Sequence, residues 1–276
     1  SEERHHAGCR KFIQAVYDAG YIFKKAYTGL YCNGCEAFKT EKELENGRCP
    51  NHQGQELKRI EEENYFFRLS SFGDRLLAHY RENPDFIQPE SRRNEVYNLV
   101  ESGLQDVSIT RKGFTWGIRV PFDEEQTIYV WFDALLNYYS AVADKPDIWP
   151  ATFHVIGKDI LVPPHAVYWP IMLQAAGLPL PRSLLAHGWW SINGTKMSKS
   201  TGNFIDAGNY CDTYGVDALR YFLIREMSVG QDSDFSQAQF LARYTNELAN
   251  NLGNLVNRTL NMTNRFAGAT VPGVEV

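Results

Sequence analysis

The feature that most constrains this chain is the order of short apolar runs and helical patterns between residues 127 and 187. Thr127-Ile128-Tyr129-Val130-Trp131-Phe132 is a short, β-favouring run. Asp133 is placed to cap a helix reaching about Val142. Thr152-Phe153-His154-Val155-Ile156 is a second run, ending at Gly157. Pro164 suits the first turn of a helix that stops near Ala176, with Gly177 at the C′ position and Pro179 beyond. Ser183 to His187 is a third run. This order predicts an α/β chain containing half of a doubly wound β-α-β-α-β sheet. Ligands of such sheets lie beyond the carboxyl ends of the strands, which singles out Trp131, Gly157 to Asp159, and His187-Gly188.

The flanking segments differ in character. Residues 2–19 read as an amphipathic helix with Cys9, Phe12, Ile13 and Val16 on one face and Gly20 as its C′ residue. Residues 21–65 are short apolar pieces and charged connectors, and residues 66–105 return to helix around Val96, Leu99 and Val100. Asn83-Pro84-Asp85 separates two helical pieces. Asn193-Gly194 predicts a type I′ hairpin over Trp189 to Lys196. Residues 206–226 and 236–266 are helical, the last with Leu248, Leu252, Leu255 and Leu260 as a packed face and Asn254 and Arg258 together on another.

Cysteine usage points to a metal. Cys32-x-x-Cys35 and Cys49-x-x-His52 form two knuckles, whose three thiolates and one imidazole can complete a tetrahedral zinc shell. His52 cannot join a disulfide. The site reads as structural Zn²⁺, with catalytic zinc the weaker alternative and accidental proximity of three buried thiols and a histidine the bland one. A net charge of −5 excludes a bulk basic field for coating nucleic acid but leaves room for a local positive face. No apolar run approaches the roughly 20 residues of a membrane helix. Because the chain does not begin with Met, it is expected to be a piece of a longer protein.

Lys196-Met197-Ser198-Lys199-Ser200 follows the hairpin. Two lysines three apart, with hydroxyl residues between, suit a loop that meets a polyphosphate. A basic surface loop is the ordinary reading of such a pentapeptide, and its place after the α/β half favours the phosphate loop. The string from His187-Gly188-Trp189-Trp190 to Asn203 resembles the methionyl-tRNA synthetases, a class I family with a KMSKS signature. So do Tyr129 to Tyr138, Gly157-Lys158-Asp159-Ile160, and the Gly29-Leu30-Tyr31-Cys32 lead-in to the first knuckle. The resemblance covers essentially the whole chain in order.

The resemblance implies a layout. Residues 1–27 would end a first nucleotide-binding half, 28–115 would be a connective-peptide insertion with one zinc, and 116–200 a second Rossmann-type half. Residues 201–240 would contact the tRNA stem, and 241–276 would begin an anticodon-binding bundle. It also implies activation of L-methionine by ATP, with Mg²⁺, and transfer to tRNA(Met). Lys199 would stabilise the reacting phosphate and Lys196 the loop and phosphates, while Arg111 would assist activation. Gly157 and Asp159 would meet the ATP ribose, and Trp190 would offer backbone atoms near adenine. Trp131, Ala134, Leu135, Tyr138, Ile160 and His165 would form the methionine pocket; by residue type alone, Trp131 and Tyr138 read as core aromatics. Asn254 and Arg258 would face the anticodon. Free thiols and the resemblance together imply a cytoplasmic protein.

Three departures stand out. Leu135 occupies a position where some members carry Pro. The stretch Leu161-Val162-Pro163-Pro164-His165 is one residue longer than the family spacing, which predicts a bulge and unsettles Ile160 and His165. The HIGH-type motif has no match, since His5-His6-Ala7-Gly8 lies on a helix in the wrong context. The chain is therefore expected to lack the N-terminal half of the site and to be inactive alone. Two rivals are another class I synthetase and a non-catalytic zinc-containing RNA-binding or interaction module.

Overall fold

The computed structural model describes residues 2–35, 37–39, 44–52, 56–145, 147–197 and 202–271. The chain divides into two compact units, Ser1–Leu185 and Ala186–Val276.

The first unit opens with α1 (Glu3–Asp18), whose buried residues are the expected Cys9, Phe12, Ile13 and Val16. Gly20 ends it at φ +81°. Tyr21 N donates to Val16 O and Gly20 N to Tyr17 O, the paired bonds of a Schellman stop. Two long antiparallel strands follow, β1 (Ile22–Cys32) and β3 (Lys58–Phe67), with Ile22 opposite Phe67 and Tyr31 opposite Lys58. The short β2 (Ala37–Lys39) adds to the edge of β1. These strands correct the expectation of short pieces over 21–65 and of helix from residue 66. Their charges obscure the alternation but pair in space: Lys24 Nζ lies 3.1 Å from Glu63 and 3.5 Å from Asp123.

Helices α2 (Gly73–Glu82) and α3 (Glu90–Glu101) flank Asn83-Pro84-Asp85 as expected, with β4 (Ile87–Gln88) between them. Next come β5 (Val107–Ser108), which pairs with the end of β3, then β6 (Thr110–Lys112), β7 (Arg119–Val120) and β8 (Asp123–Ile128). The last three form a separate antiparallel sheet in the order β6-β8-β7. A buried polar chain ties this sheet to β3: Tyr65 N donates to Thr110 Oγ1, Thr110 to Gln126, and Gln126 to Glu63 O.

The expected β-α-β-α-β unit is therefore corrected at its first strand. Strand β8 stops at Ile128, Tyr129 is the N-cap, and Trp131 and Phe132 lie in helix α4 (Val130–Ala134), followed by α5 (Asn137–Ser140). A short apolar run carries no period that separates strand from helix, and here Phe132 is buried beside Phe67 and Tyr168. The sheet that forms has the order β4-β10-β9, with β9 at Phe153–Gly157 and β10 at Ser183–His187. Strand β4 supplies the partner that Thr127 to Phe132 was expected to supply, pairing in parallel with β10 through Ile87 and Leu184.

Between β9 and β10, Leu161–Tyr168 is a helical stretch interrupted by a kink at Val162, whose backbone is extended, and it runs into α6 (Trp169–Ala175). Gly177, at φ +67°, follows the end of α6.

The second unit begins as β10 ends. Strands β11 (Trp190–Ile192) and β12 (Thr195–Lys196) form the hairpin, with Asn193 at φ 52° and Gly194 at φ 73°, as a type I′ turn requires. Helices α7 (Ala207–Tyr214) and α8 (Val216–Glu226) are separated by Gly215 at φ 88°. Strand β13 (Ser233–Asp234) lies parallel to β11. Helix α9 (Gln237–Arg243), a π-helical stretch Tyr244–Gly253 and α10 (Asn254–Ala267) complete the unit. Its core is Ala218, Leu219, Phe222, Phe235 and Phe240. Arg243 bridges Glu226 at 3.0 Å and also pairs with Glu247, which accepts from Tyr221. The expected packed face of the last helix is corrected: Leu248 reaches the core, but Leu252, Leu255 and Leu260 are exposed.

Gly188 is fixed by space. A Cβ there would stand 1.9 Å from Gln231 O. Gly188→Ala is expected to destabilise the second unit by about 2 kcal/mol or more, since backbone must move to admit it. Denaturant titration checks this, with Gly194→Ala, whose Cβ meets nothing within 4 Å, reporting the separate cost of its positive φ.

Candidate functional site

The metal knuckles sit where β1 ends. Cys32 closes that strand, Cys35 lies in the turn toward β2, and Cys49 and His52 come from the second knuckle. The latter is built on a bridge between Glu45 and Arg48 around Asn46 and Gly47, both at positive φ. Asn46-Gly47 is the sequence signal that would have located this turn. Pro50–His52 is a single 3-10 turn, with His52 N donating to Cys49 O.

The four ligand atoms lie within 4.8 Å of one another. Cys35 Sγ is 3.2 Å from His52 Nδ1 and 3.5 Å from Cys49 Sγ, and Cys32 Sγ is 3.7 Å from the same Nδ1. A tetrahedral zinc with Zn–S and Zn–N bonds of the usual length has edges of about 3.5–3.8 Å, so the set fits a metal such as zinc. Gly34 lets it close: a Cβ at that position would stand 2.5–2.7 Å from the His52 ring. Burial, with hydrogen bonds from Cys49 and Cys32, pushes the Cys35 thiol up to about 11 when no cation is present.

A second cluster is aromatic. His165 Nδ1 donates to Ile160 O at 2.7 Å, which leaves Nε2 to accept from Tyr138 Oη at 2.9 Å. Trp131 presents its edge to the same imidazole at 6.2 Å between centroids. Leu135 is buried on the α4–α5 stretch, and Ala134 is exposed. The structure thus gathers Trp131, Tyr138, Ile160 and His165 despite the longer 161–165 spacing. It also adds His154, which the sequence reading passed over. His154 packs against Tyr138 at 4.4 Å and is 5% exposed. The signal for it was its inward phase in the alternating run Phe153 to Gly157, with burial pattern out, in, out, in.

The remaining expected residues are scattered in environment. Gly157 ends β9 half-buried, and Asp159 is exposed in the following turn. Arg111 is buried, bonded through Nη1 to Thr110 O at 2.8 Å and Ser108 Oγ at 3.0 Å, and lies over Tyr129 at 4.5 Å. In the second unit, His187, Gly188, Trp189, Trp190, Lys196, Met197, Phe204 and Ile205 line a concavity of about 320 Å³. Trp190 O accepts from Met197 N, and Lys196 Nζ sits 3.7 Å over the Trp189 ring. Lys199 lies outside the described residues. Asn254 and Arg258 are exposed, one turn apart on α10.

The class of this mixed α/β chain is that of the class I tRNA synthetases: the family profile described as tRNA synthetases class I (M) matches residues 1–62 and 53–260. The methionine–tRNA ligase of Caldanaerobacter subterraneus subsp. tengcongensis is 47% identical over 275 residues, covering 97% of this chain and 43% of that protein. The methionine–tRNA ligase of Thermosynechococcus vestitus is 48% identical, covering 99% of this chain and 53% of the relative. Mycobacterium tuberculosis methionyl-tRNA synthetase in complex with methionyl-adenylate superposes with a TM-score of 0.88 at 42% identity, over 100% of this chain and 56% of that one. The chain belongs to the methionyl-tRNA synthetase family. It spans about half the length of the curated relatives it matches. Among the described residues, no helix is long and apolar enough to cross a membrane.

Two outcomes follow from this geometry. Gly34→Ala should push His52 out of the ligand set and lower zinc affinity at least about tenfold, measured by chelator competition. Burial lowers the pKa of His165 and, with a smaller push from the neighbouring His165, brings that of His154 down to about 4. The unfolded chain protonates these rings near pH 6.5, so between there and about 4 it binds more protons than the fold. Stability should be full above pH 6.5 and fall as pH drops through that window, by roughly 3 kcal/mol for His154. Urea titrations at pH 7 and 4.5 should show the loss, and His154→Phe should flatten it.

Proposed function

We propose that the protein containing this chain is a methionine–tRNA ligase, and that this chain supplies part of its catalytic core. The observation that carries the reading is the cluster of Trp131, Tyr138 and His165. A thioether packs well against aromatic edges, and a neutral imidazole bonded to a tyrosine hydroxyl offers a polar group without a charge to desolvate. Leu135, Ala134 and Ile160 would complete the methionine site. The chemistry is attack of the methionine carboxylate on the α-phosphate of ATP, release of pyrophosphate, and transfer of the methionyl group to the terminal ribose of tRNA(Met).

Asp159 would accept from the ATP ribose hydroxyls, with Gly157 allowing close approach. Trp190 would offer backbone atoms to adenine. Lys196 and Lys199 would meet the phosphates as point charges, with Mg²⁺ accompanying ATP. Arg111 would act through the strand it anchors, since its guanidinium is bonded to local carbonyls. Cys32, Cys35, Cys49 and His52 would hold one structural Zn²⁺, which supplies folding energy to the knuckles. Asn254 and Arg258 would face the anticodon. The segments 1–27, 28–115, 116–200, 201–240 and 241–276 would correspond to the end of the first nucleotide-binding half, the zinc insertion, the second half, the stem-contact region and the start of the anticodon bundle. A cytoplasmic location fits this role.

The test is ATP–pyrophosphate exchange by the full-length protein over a panel of amino acids. Methionine alone should support it; exchange with leucine, isoleucine, valine or cysteine instead, or none at all, would overturn the reading. Lys199→Ala should slow exchange by about two to three orders of magnitude while leaving methionine binding nearly intact, because the charge it meets develops in the transition state.

A further inference from the structure

His5-His6-Ala7-Gly8 stands out in the sequence and has no part in the proposed function. His5 nevertheless joins three elements. From α1 its Nε2 stands 2.6 Å from Asp133 Oδ1 on α4, and its Nδ1 stands 2.8 Å from Ser140 Oγ on α5. Asp133, expected to cap a helix, lies inside α4 instead. A carboxylate can only accept, so Nε2 carries the hydrogen. Ser140 then donates to Nδ1, its other acceptor, Asn137 O, being 3.5 Å away. Both ring nitrogens are thereby used, each by a different helix. Helix α1 comes close enough for this because residue 8 has no side chain: a Cβ on Gly8 would lie 3.0 Å from Ser140 Cβ. Buried Cys9 packs beneath the ring, with Sγ 3.4 Å from Nε2.

The two partners of His5 sit where small movements count. Helix α4 is Val130–Ala134 and α5 is Asn137–Ser140, and neither has a side-chain cap. Helices of one turn have almost no stability of their own, so their placement is set by what they touch. Asp133 lies between Trp131 and Ala134, and Ser140 is two residues beyond Tyr138. Trp131 and Tyr138 converge on His165, the second through a hydrogen bond of 2.9 Å. Such a bond is lost when its donor retreats by roughly half an ångström. One imidazole bonded to both helices fixes the distance on which that bond depends.

We propose that His5 is a positioning residue for the amino-acid pocket, its ring holding α4 and α5 at the spacing that lets Trp131 and Tyr138 meet His165. The inference rests on the methionine reading of that pocket. His5 touches no substrate and acts through Asp133 and Ser140.

The experiment is ATP–pyrophosphate exchange by the full-length protein. His5→Ala should raise the KM for methionine about tenfold, the weight of one ordinary hydrogen bond in the pocket, with kcat and the KM for ATP within about twofold. His5→Gln, whose amide still donates to Asp133, should fall between. Ser140→Ala removes one buried oxygen, frees α5 alone and should raise the KM about threefold; it carries the test if His5→Ala does not fold. Tyr138→Phe removes the bond that the clamp serves, so adding His5→Ala or Ser140→Ala to it should cost much less than in the unaltered protein. A contact that serves folding alone would lower the melting temperature and leave the KM unchanged, or add its effect in full to that of Tyr138→Phe; either result overturns the proposal. A crystal structure of Ser140→Ala separates the clamp from the choice of substrate. The Tyr138 hydroxyl should stand farther from His165 than 2.9 Å whichever amino acid the protein activates, and an unmoved hydroxyl overturns the clamp.

Discussion

The first unit is arranged around a helix kept out of water along most of its length. In the stretch from Leu161 to Leu173, Leu161, Ala166, Val167, Trp169, Ile171, Met172 and Leu173 are all essentially inaccessible. A helix apolar on every side must be surrounded, and its neighbours here include α3 and, through the Trp169–His154 ring contact, strand β9. One polar ring, His165, lies in this wall, and burial of an imidazole is tolerable only if both nitrogens are satisfied. Ile160 O and Tyr138 Oη satisfy them.

The parts of this structure that could be seen in the sequence are those specified by short-range chemistry. The Schellman stop at Gly20, the turn at Asn193-Gly194 and the two Cys/His knuckles each depend on a few adjacent residues. The parts that could not be seen depend on partners distant in sequence. Lys24 and Glu63 look like solvent-facing charges until β1 and β3 are laid side by side. Trp131 and Phe132 look like a strand until Phe67 and Tyr168 are placed against Phe132. Strand β4 is two residues long and has no pattern to read, yet it supplies the edge of the parallel pair. The aromatic cluster was legible in part of its membership, with His154 passed over, and not in its bonding, because which nitrogen of His165 carries the proton is decided by a backbone carbonyl.

Glycines show the same limit. Gly34 and Gly188 are needed because another group occupies the space a Cβ would take, the His52 ring in one case and the Gln231 carbonyl in the other. Nothing in the adjacent sequence reports that occupation. Exposed apolar residues of the last helical stretch, by contrast, follow the helical period and read as a packed face, although Leu252, Leu255 and Leu260 are exposed in this structure. Periodicity identifies a face that can pack, and burial is a separate property.

The placement of the knuckles at the tip of β1 and β3 has a consequence for how the ribbon assembles. A two-stranded ribbon normally nucleates at a tight turn, but here about 25 residues separate the strands, and closing so long a loop costs entropy before any ladder bond forms. A cation held by Cys32 and His52 would shorten the gap still to be closed to about five residues, a saving of roughly 1.4 kcal/mol on the logarithmic scale of loop closure. Such an ion would do the work of a hairpin turn. Strand pairing would propagate from the knuckles toward Ile22 and Phe67, so a cation bound there would raise the folding rate of this ribbon as well as its final stability.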